Sequence, residues 1–184
     1  MRADVPELLF PSRADFRAWL RENAETSGGV WLVFGKIKAV VTVTAAQALE
    51  EALCFGWIDG QMQSVNSTKY RKYFAKRRPK SVWSVKNKGT VEALREKGLM
   101  TELGEKAIEI AKENGTWDER TAESEQARVD AFAAMLAGMS PAQENFMKLP
   151  PSGKLAKMRW YHAFKSEDKQ RQAFEDIVSE LNKM

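Results

Sequence analysis

Between Tyr70 and Ser84 the chain reads YRKYFAKRRPKSVWS, with six Lys or Arg side chains among four aromatic rings. The chemistry available there is anion recognition. A guanidinium offers donors in a planar fork that fits a carboxylate or a phosphate, and Arg77 and Arg78 stand side by side ahead of Pro79. Lys80 adds a further charge, Ser81 and Ser84 add hydroxyls, and Trp83 adds a ring. A helix beginning at Ser81 or Ser84 would contribute free N–H groups, which favour anions. Upstream, Asp59 lies between glycines in GWIDG, a pattern that predicts a tight turn or a close backbone approach. Its carboxylate could act as a base or as a partner for arginine. The candidate ligand-binding set is therefore Asp59, Arg77, Arg78, Lys80, Ser81, Trp83 and Ser84. The competing expectation is that Asp59 pairs with Arg77 or Arg78 and fastens a hairpin to the following helix.

The same stretch can be read as a strand. Alternation would then put Tyr70, Lys72 and Phe74 on one face and Arg71, Tyr73 and Ala75 on the other. Neither face is purely basic, so the one-sided stripe of a nucleic-acid reader is missing. Tyr70, Tyr73 and Phe74 still leave base stacking open as a second reading.

Other chemistries are poorly supplied. Cys54 is the sole cysteine and His162 the sole histidine, too few for a zinc set, and any Cys-His nucleophile pair would have to be these two. The chain has no Gly-rich phosphate loop and no G-x-S-x-G elbow. Cys54, followed by Phe55 and Trp57, reads as a packing residue, and Trp160, Tyr161, His162 and Phe164 read as packing of C-terminal helices. No catalytic residue, metal or cofactor is assigned. One cysteine rules out an internal disulfide and suits a reducing compartment. The start, MRADVPELLF, lacks the apolar core of a leader peptide, and no run approaches the roughly 18 apolar residues of a membrane span. Cytoplasm is the expected compartment. A net charge of +4 is mild for a nucleic-acid binder, and the positive charge is concentrated between Lys69 and Lys88.

The elements that must position these residues are legible. Ser12 with Asp15 predicts a capped helix bearing Phe16, Trp19 and Leu20, broken at Gly28-Gly29. VWLVFGKI reads as a buried strand and VVTVT as a second one across a short turn. Thr44 with Gln47 predicts a capping box opening AAQALEEALCF. WIDGQMQSV and KYRKYFAK read as a hairpin around Asn66-Ser67. Helices follow to Gly98 and from Thr101 to Gly115, then a linker from Thr116 to Arg120. Further on, Thr121, Ser140-Pro141 with Gln143, Ser152 and Ser166 predict the starts of four more helices. The expected fold class is α+β, an antiparallel sheet with flanking helices over residues 1–118, followed by a small helical domain over residues 119–184.

Two of these stretches, EALCFGWIDG (Glu51 to Gly60) and RRPKSVWS (Arg77 to Ser84), resemble the YdeI/OmpD-associated family, also labelled bacteriocin-protection proteins. The resemblance runs from RAWLRENAETSGGVWLVFGK through GLMTELGEKAIEIAKENGTWD and continues into LPPSGKLAKMRWYHAFKSEDKQRQAFEDIV. It implies a YjbR/CyaY-like N-terminal region and a role in protection against antimicrobial peptides or in association with envelope proteins. It implies no reaction. The loop KIKAVVT is shorter and more apolar than the family pattern, and the turn SVNSTKY lacks acidic residues, so nothing tied to those loops is carried over. The resulting expectation is a non-enzymatic protection protein that binds an anionic ligand or a protein partner. Nucleic-acid binding through residues 69–80, and an enzyme on a small anionic substrate with Asp59 or Cys54 as the reactive group, are the alternatives.

Overall fold

A computed structural model describes residues 5–164 and 166–184. It divides into two compact units, Met1–Arg120 and Thr121–Met184. The first has the α+β class. Its elements are β1 (Glu7–Leu8), α1 (Arg13–Asn23), β2 (Val30–Gly35), α2 (Ala45–Cys54), β3 (Trp57–Ser64), β4 (Lys69–Lys76), α3 (Val85–Glu96) and α4 (Glu102–Glu113). The strands form one sheet in the order β1-β2-β4-β3.

The capping boxes predicted at α1 and α2 form. Ser12 Oγ accepts from the Asp15 amide while Asp15 reaches back to the Ser12 amide, and Thr44 and Gln47 do the same at α2. Each box satisfies donors that the first helical turn would otherwise leave without partners. The hairpin forms as expected, with β3 antiparallel to β4 and β4 antiparallel to β2. Two expectations fail. The sheet is mixed rather than antiparallel, because β1 pairs parallel to β2 through Glu7↔Trp31 and Leu8↔Leu32. The segment VVTVT makes no strand. β2 already has β1 along one edge and β4 along the other, so no ladder is left for it. Thr42 Oγ1 instead accepts from the Gly35 amide, and the Val43 amide donates to Phe10 O.

One sheet face carries the core. Leu32 and Phe34 of β2, Phe74 of β4 and Trp57 of β3 meet Phe16 and Leu20 of α1 and Leu53 of α2. Burying such side chains stabilises by about 1.5–3 kcal/mol each. Helix α2 also carries a buried carboxylate, Glu51, only 1% exposed. Arg13 and Arg17 of α1 both donate to it, and Arg17 donates onward to Leu99 O at 2.8 Å. That cluster ties α1, α2 and the end of α3 together.

Helix α4 docks end-on against α2. The Thr101 amide and hydroxyl both donate to Cys54 O, at 3.1 and 2.6 Å, so Thr101 satisfies the C-terminus of α2 instead of capping its own helix. Arg95 of α3 grips Glu105 of α4 with Nε and Nη2. The segment after α4 is more than a linker. Trp117 packs on the core and against Trp83, with ring centroids 5.2 Å apart, and Lys88 donates to Arg120 O.

The second unit is helical, with α5 (Ala122–Met135), α6 (Ala142–Lys148), α7 (Pro151–Tyr161) and α8 (Glu167–Leu181). Its core gathers Val129, Phe132, Leu136, Phe146, Met158, Ile177 and Leu181. The box predicted at α6 does not form. Pro141 is the N-cap, and Gln143 Oε1 accepts from the Gly138 amide instead. Among the described residues no helix is long and apolar enough to cross a membrane.

Candidate functional site

After β4 the chain makes a tight turn before α3, and the turn accounts for the arrangement of the predicted site. The Arg77 amide donates to Gly56 O, continuing the β3–β4 ladder by one more bond. The Ser81 amide then donates to Arg78 O, and Ser81 Oγ accepts from the Arg78 amide. Pro79, with its fixed φ, sits inside this turn, and its carbonyl accepts from Asn114 Nδ2 at 2.7 Å. Ser84 is the true N-cap of α3, accepting from the Asn87 amide. The arginines are therefore not at a helix start, and the free helical N–H groups expected around them are absent from their surroundings.

Arg77 and Arg78 go different ways. Arg78 is exposed, and its side chain has no partner among the described residues. The Arg77 side chain folds inward over Trp83, with its guanidinium carbon 3.8 Å from the ring centroid. Its Nη2 donates to Val82 O at 2.9 Å. Its Nε and Nη1 are buried and have no hydrogen-bond partner. Nε carries one N–H and Nη1 two, so three of its five donors are unmatched. Burial lowers the guanidinium to about 10, with the charge of Asp59 pulling the other way. It stays cationic at neutral pH. Each desolvated, unpaired donor costs roughly 1–3 kcal/mol.

Arg77 lines a cavity of about 440 Å³ shared with Glu25, Gly56, Lys76, Arg78 and Pro79. Ser81, Trp83 and one face of α4 complete it: Leu103, Lys106, Ala107, Ile110 and Ala111. The α4 residues recur at helical spacing and so share one face. Gly56, at φ +71, allows that approach, because a Cβ there would lie 2.8 Å from Leu103 O. Four cations and one carboxylate thus surround an apolar wall. Lys76, Lys106 and Glu25 are exposed and have no partner among the described residues.

Of the predicted set, the fold brings Arg77, Arg78, Ser81 and Trp83 to this cavity. Asp59, Lys80 and Ser84 do not line it. Asp59 pairs with Lys72 at 2.5 Å, not with either arginine, so the expected internal ion pair does not form. Gly60 sits at a bulge, not a tight turn: from Asp59 to Met62 β3 advances three residues while β4 advances two. The α4 face and Lys76 were missed. Their only signal was the Leu103-Ala107-Ile110 spacing, which in isolation reads as core.

The basic hairpin has few free groups. Arg71 lies over the Trp31 ring, donates to Gln63 and pairs with Glu7, while Lys72 is held by Asp59. Phe74 is fully buried, Tyr70 stacks on Phe34, and Tyr73 is buried beside Trp31 and donates to Gly28 O. The three rings expected to be available for base stacking are thus packed into the fold. Cys54 is buried, and desolvation raises its thiol, with Arg17 beside it opposing the rise. A buried thiol of this kind is a poor nucleophile. His162 caps the C-terminus of α7, edge-on to Tyr161.

No curated protein and no solved structure matches the chain. Residues 8–107 match the model of a family described as a domain of unknown function (DUF8412), a stretch reaching from β1 to Ala107 in the cavity wall. By that match, over more than half its length, the chain belongs to this family.

Proposed function

We propose that the protein acts by binding rather than by catalysis, holding an anionic ligand or an anionic group of a protein partner at Arg77. The observation that carries this reading is the Arg77 guanidinium, buried on Trp83 with Nε and Nη1 unmatched, at the side of a cavity. A buried cation with no hydrogen-bonded carboxylate weakens the native state, which argues for a use that offsets the cost. Three further cations, Lys76, Arg78 and Lys106, surround the same space and would draw an anion toward it. Asp59, held by Lys72 outside the cavity, and Cys54, buried beside Arg17, lack the placement a reactive group needs.

The biological role that fits is the one implied by EALCFGWIDG and RRPKSVWS: a cytoplasmic, bacteriocin-protection protein of the YdeI/OmpD-associated kind, with a YjbR/CyaY-like first unit. Both motifs lie at the cavity, through Gly56 in the first and Arg77, Arg78, Pro79, Ser81 and Trp83 in the second. A survival assay tests this. A bacteriocin-sensitive bacterium expressing the chain should survive a dose that kills control cells, and the R77E/R78E double variant should lose that protection while accumulating to the same level. Equal protection by the double variant, or none by the unaltered chain, would overturn the proposal.

A further inference from the structure

We infer that the cavity takes a carboxylate joined directly to an apolar group of about amino-acid size, the chemistry shared by a peptide C-terminus and a small alkyl acid. This rests on the anion-binding reading above and narrows it in three ways.

The first is size. At about 440 Å³ the cavity lies in the lower part of the range of small-molecule sites, about 300–1,000 Å³. That accommodates one apolar residue with its terminal carboxylate.

The second is the nature of the anion. Phosphate sites are commonly built from converging backbone N–H groups. Here the amides of Arg77, Arg78, Ser81 and Trp83 are all engaged, with Gly56 O, Ser81 Oγ, Arg78 O and Thr116 O respectively. What remains in the interior is a single guanidinium, which matches one planar, singly charged group.

The third is the wall. Trp83, Leu103, Ala107, Ile110 and Ala111 offer no side-chain hydrogen bond apart from the Trp83 indole N–H, so the part of the ligand that packs on them is apolar. Arg77 Nε and Nη1 are sealed as the fold stands. Engagement therefore moves Arg77 off Trp83 or opens the 77–83 turn, and the Trp83 ring reports it.

Calorimetric titration of the full chain with N-acetyl-leucine and with its C-terminal amide tests the inference without any variant. The acid should bind at least about tenfold more tightly, the size of a charge-assisted hydrogen bond. Arg77→Met should abolish that preference, and Trp83→Phe should remove the fluorescence change that accompanies binding. Octanoate and a tetrapeptide ending in leucine separate the two sources: the tighter of them identifies the natural kind. Phenyl phosphate separates the two levels of the proposal. If it binds in an Arg77-dependent way while N-acetyl-leucine does not, the carboxylate inference falls and the anion-binding reading stands. If acid and amide bind equally, the inference falls. If none of these probes binds, both fall.

Discussion

Two buried charges in the first unit, Glu51 and Arg77, show opposite solutions to the same physical difficulty. Glu51 is 1% exposed and has two guanidinium partners, Arg13 and Arg17. Arg77 has an aromatic ring, one well-formed hydrogen bond to Val82 O and no paired carboxylate. Removing a satisfied charge leaves its partners exposed to loss, whereas removing an unsatisfied one relieves the fold. Glu51→Ala should therefore cost about 3 kcal/mol, toward the low end for breaking a buried pair because both arginines can turn toward water. Arg77→Met should change stability by no more than about 1 kcal/mol in either direction, the lost stacking and hydrogen bond offset by relief of desolvated donors. Its effect should be the same from pH 6 to 9. A guanidinium whose folded value is lowered to about 10 penalises folding throughout that range, and the penalty eases only as pH rises above about 10. Urea unfolding followed by tryptophan fluorescence measures both, since Trp160 alone lies outside the first unit. A loss above 2 kcal/mol for Arg77→Met would make Arg77 a structural residue.

At the scale of elements, the cavity depends on how closely α4 approaches α2. Gly104 governs that approach: a Cβ built there would lie 2.3 Å from Cys54 O and 2.8 Å from the Met100 methyl. The carbonyl it would strike is the one that accepts both bonds from Thr101, so it cannot yield without breaking the helix junction. Gly104→Ala should destabilise the first unit by about 1–3 kcal/mol, the usual range for overpacking, despite alanine's higher helix propensity. The same urea titration reads it. Because Leu103, Ala107 and Ile110 move with α4, N-acetyl-leucine affinity should fall with it. An unchanged midpoint would mean that the helix junction is looser than its hydrogen bonds indicate.

For the whole molecule, two hydrophobic cores are built from separate stretches of chain, one before Arg120 and one after it. Phe132, 1% exposed, joins Phe146, Tyr161 and Phe174 in the second core. Phe132→Ala should cost that unit about 3–5 kcal/mol through the cavity it leaves. Far-ultraviolet circular dichroism should then show a helical transition at lower urea, while the tryptophan transition of the first unit stays in place. Coincident shifts of both would show that the units unfold together. Ligand binding should in turn raise only the first transition, because a ligand stabilises only the state that holds it.

Local physics wrote itself plainly into the sequence. Ser12 with Asp15 and Thr44 with Gln47 set helix starts because a cap needs only residues three apart, and the hairpin around Asn66-Ser67 follows from two β-rich runs and a polar turn between them. From the stretch RRPKSVWS, Arg77, Arg78, Pro79, Ser81 and Trp83 line one cavity because a single tight turn holds them. What the sequence left open concerned non-local choices. VVTVT has strand propensity but no free edge to join, and Glu7-Leu8 is too short to announce itself as β1. Asp59 could have met Arg77 or Lys72, and only the bulge and the strand register decided for Lys72. Which of two adjacent arginines turns inward, and whether α4 stands close enough to enclose it, depends on residues dozens of positions apart. Propensity acts within a few residues, whereas a cavity is fixed by distances between elements, and only the folded chain sets those.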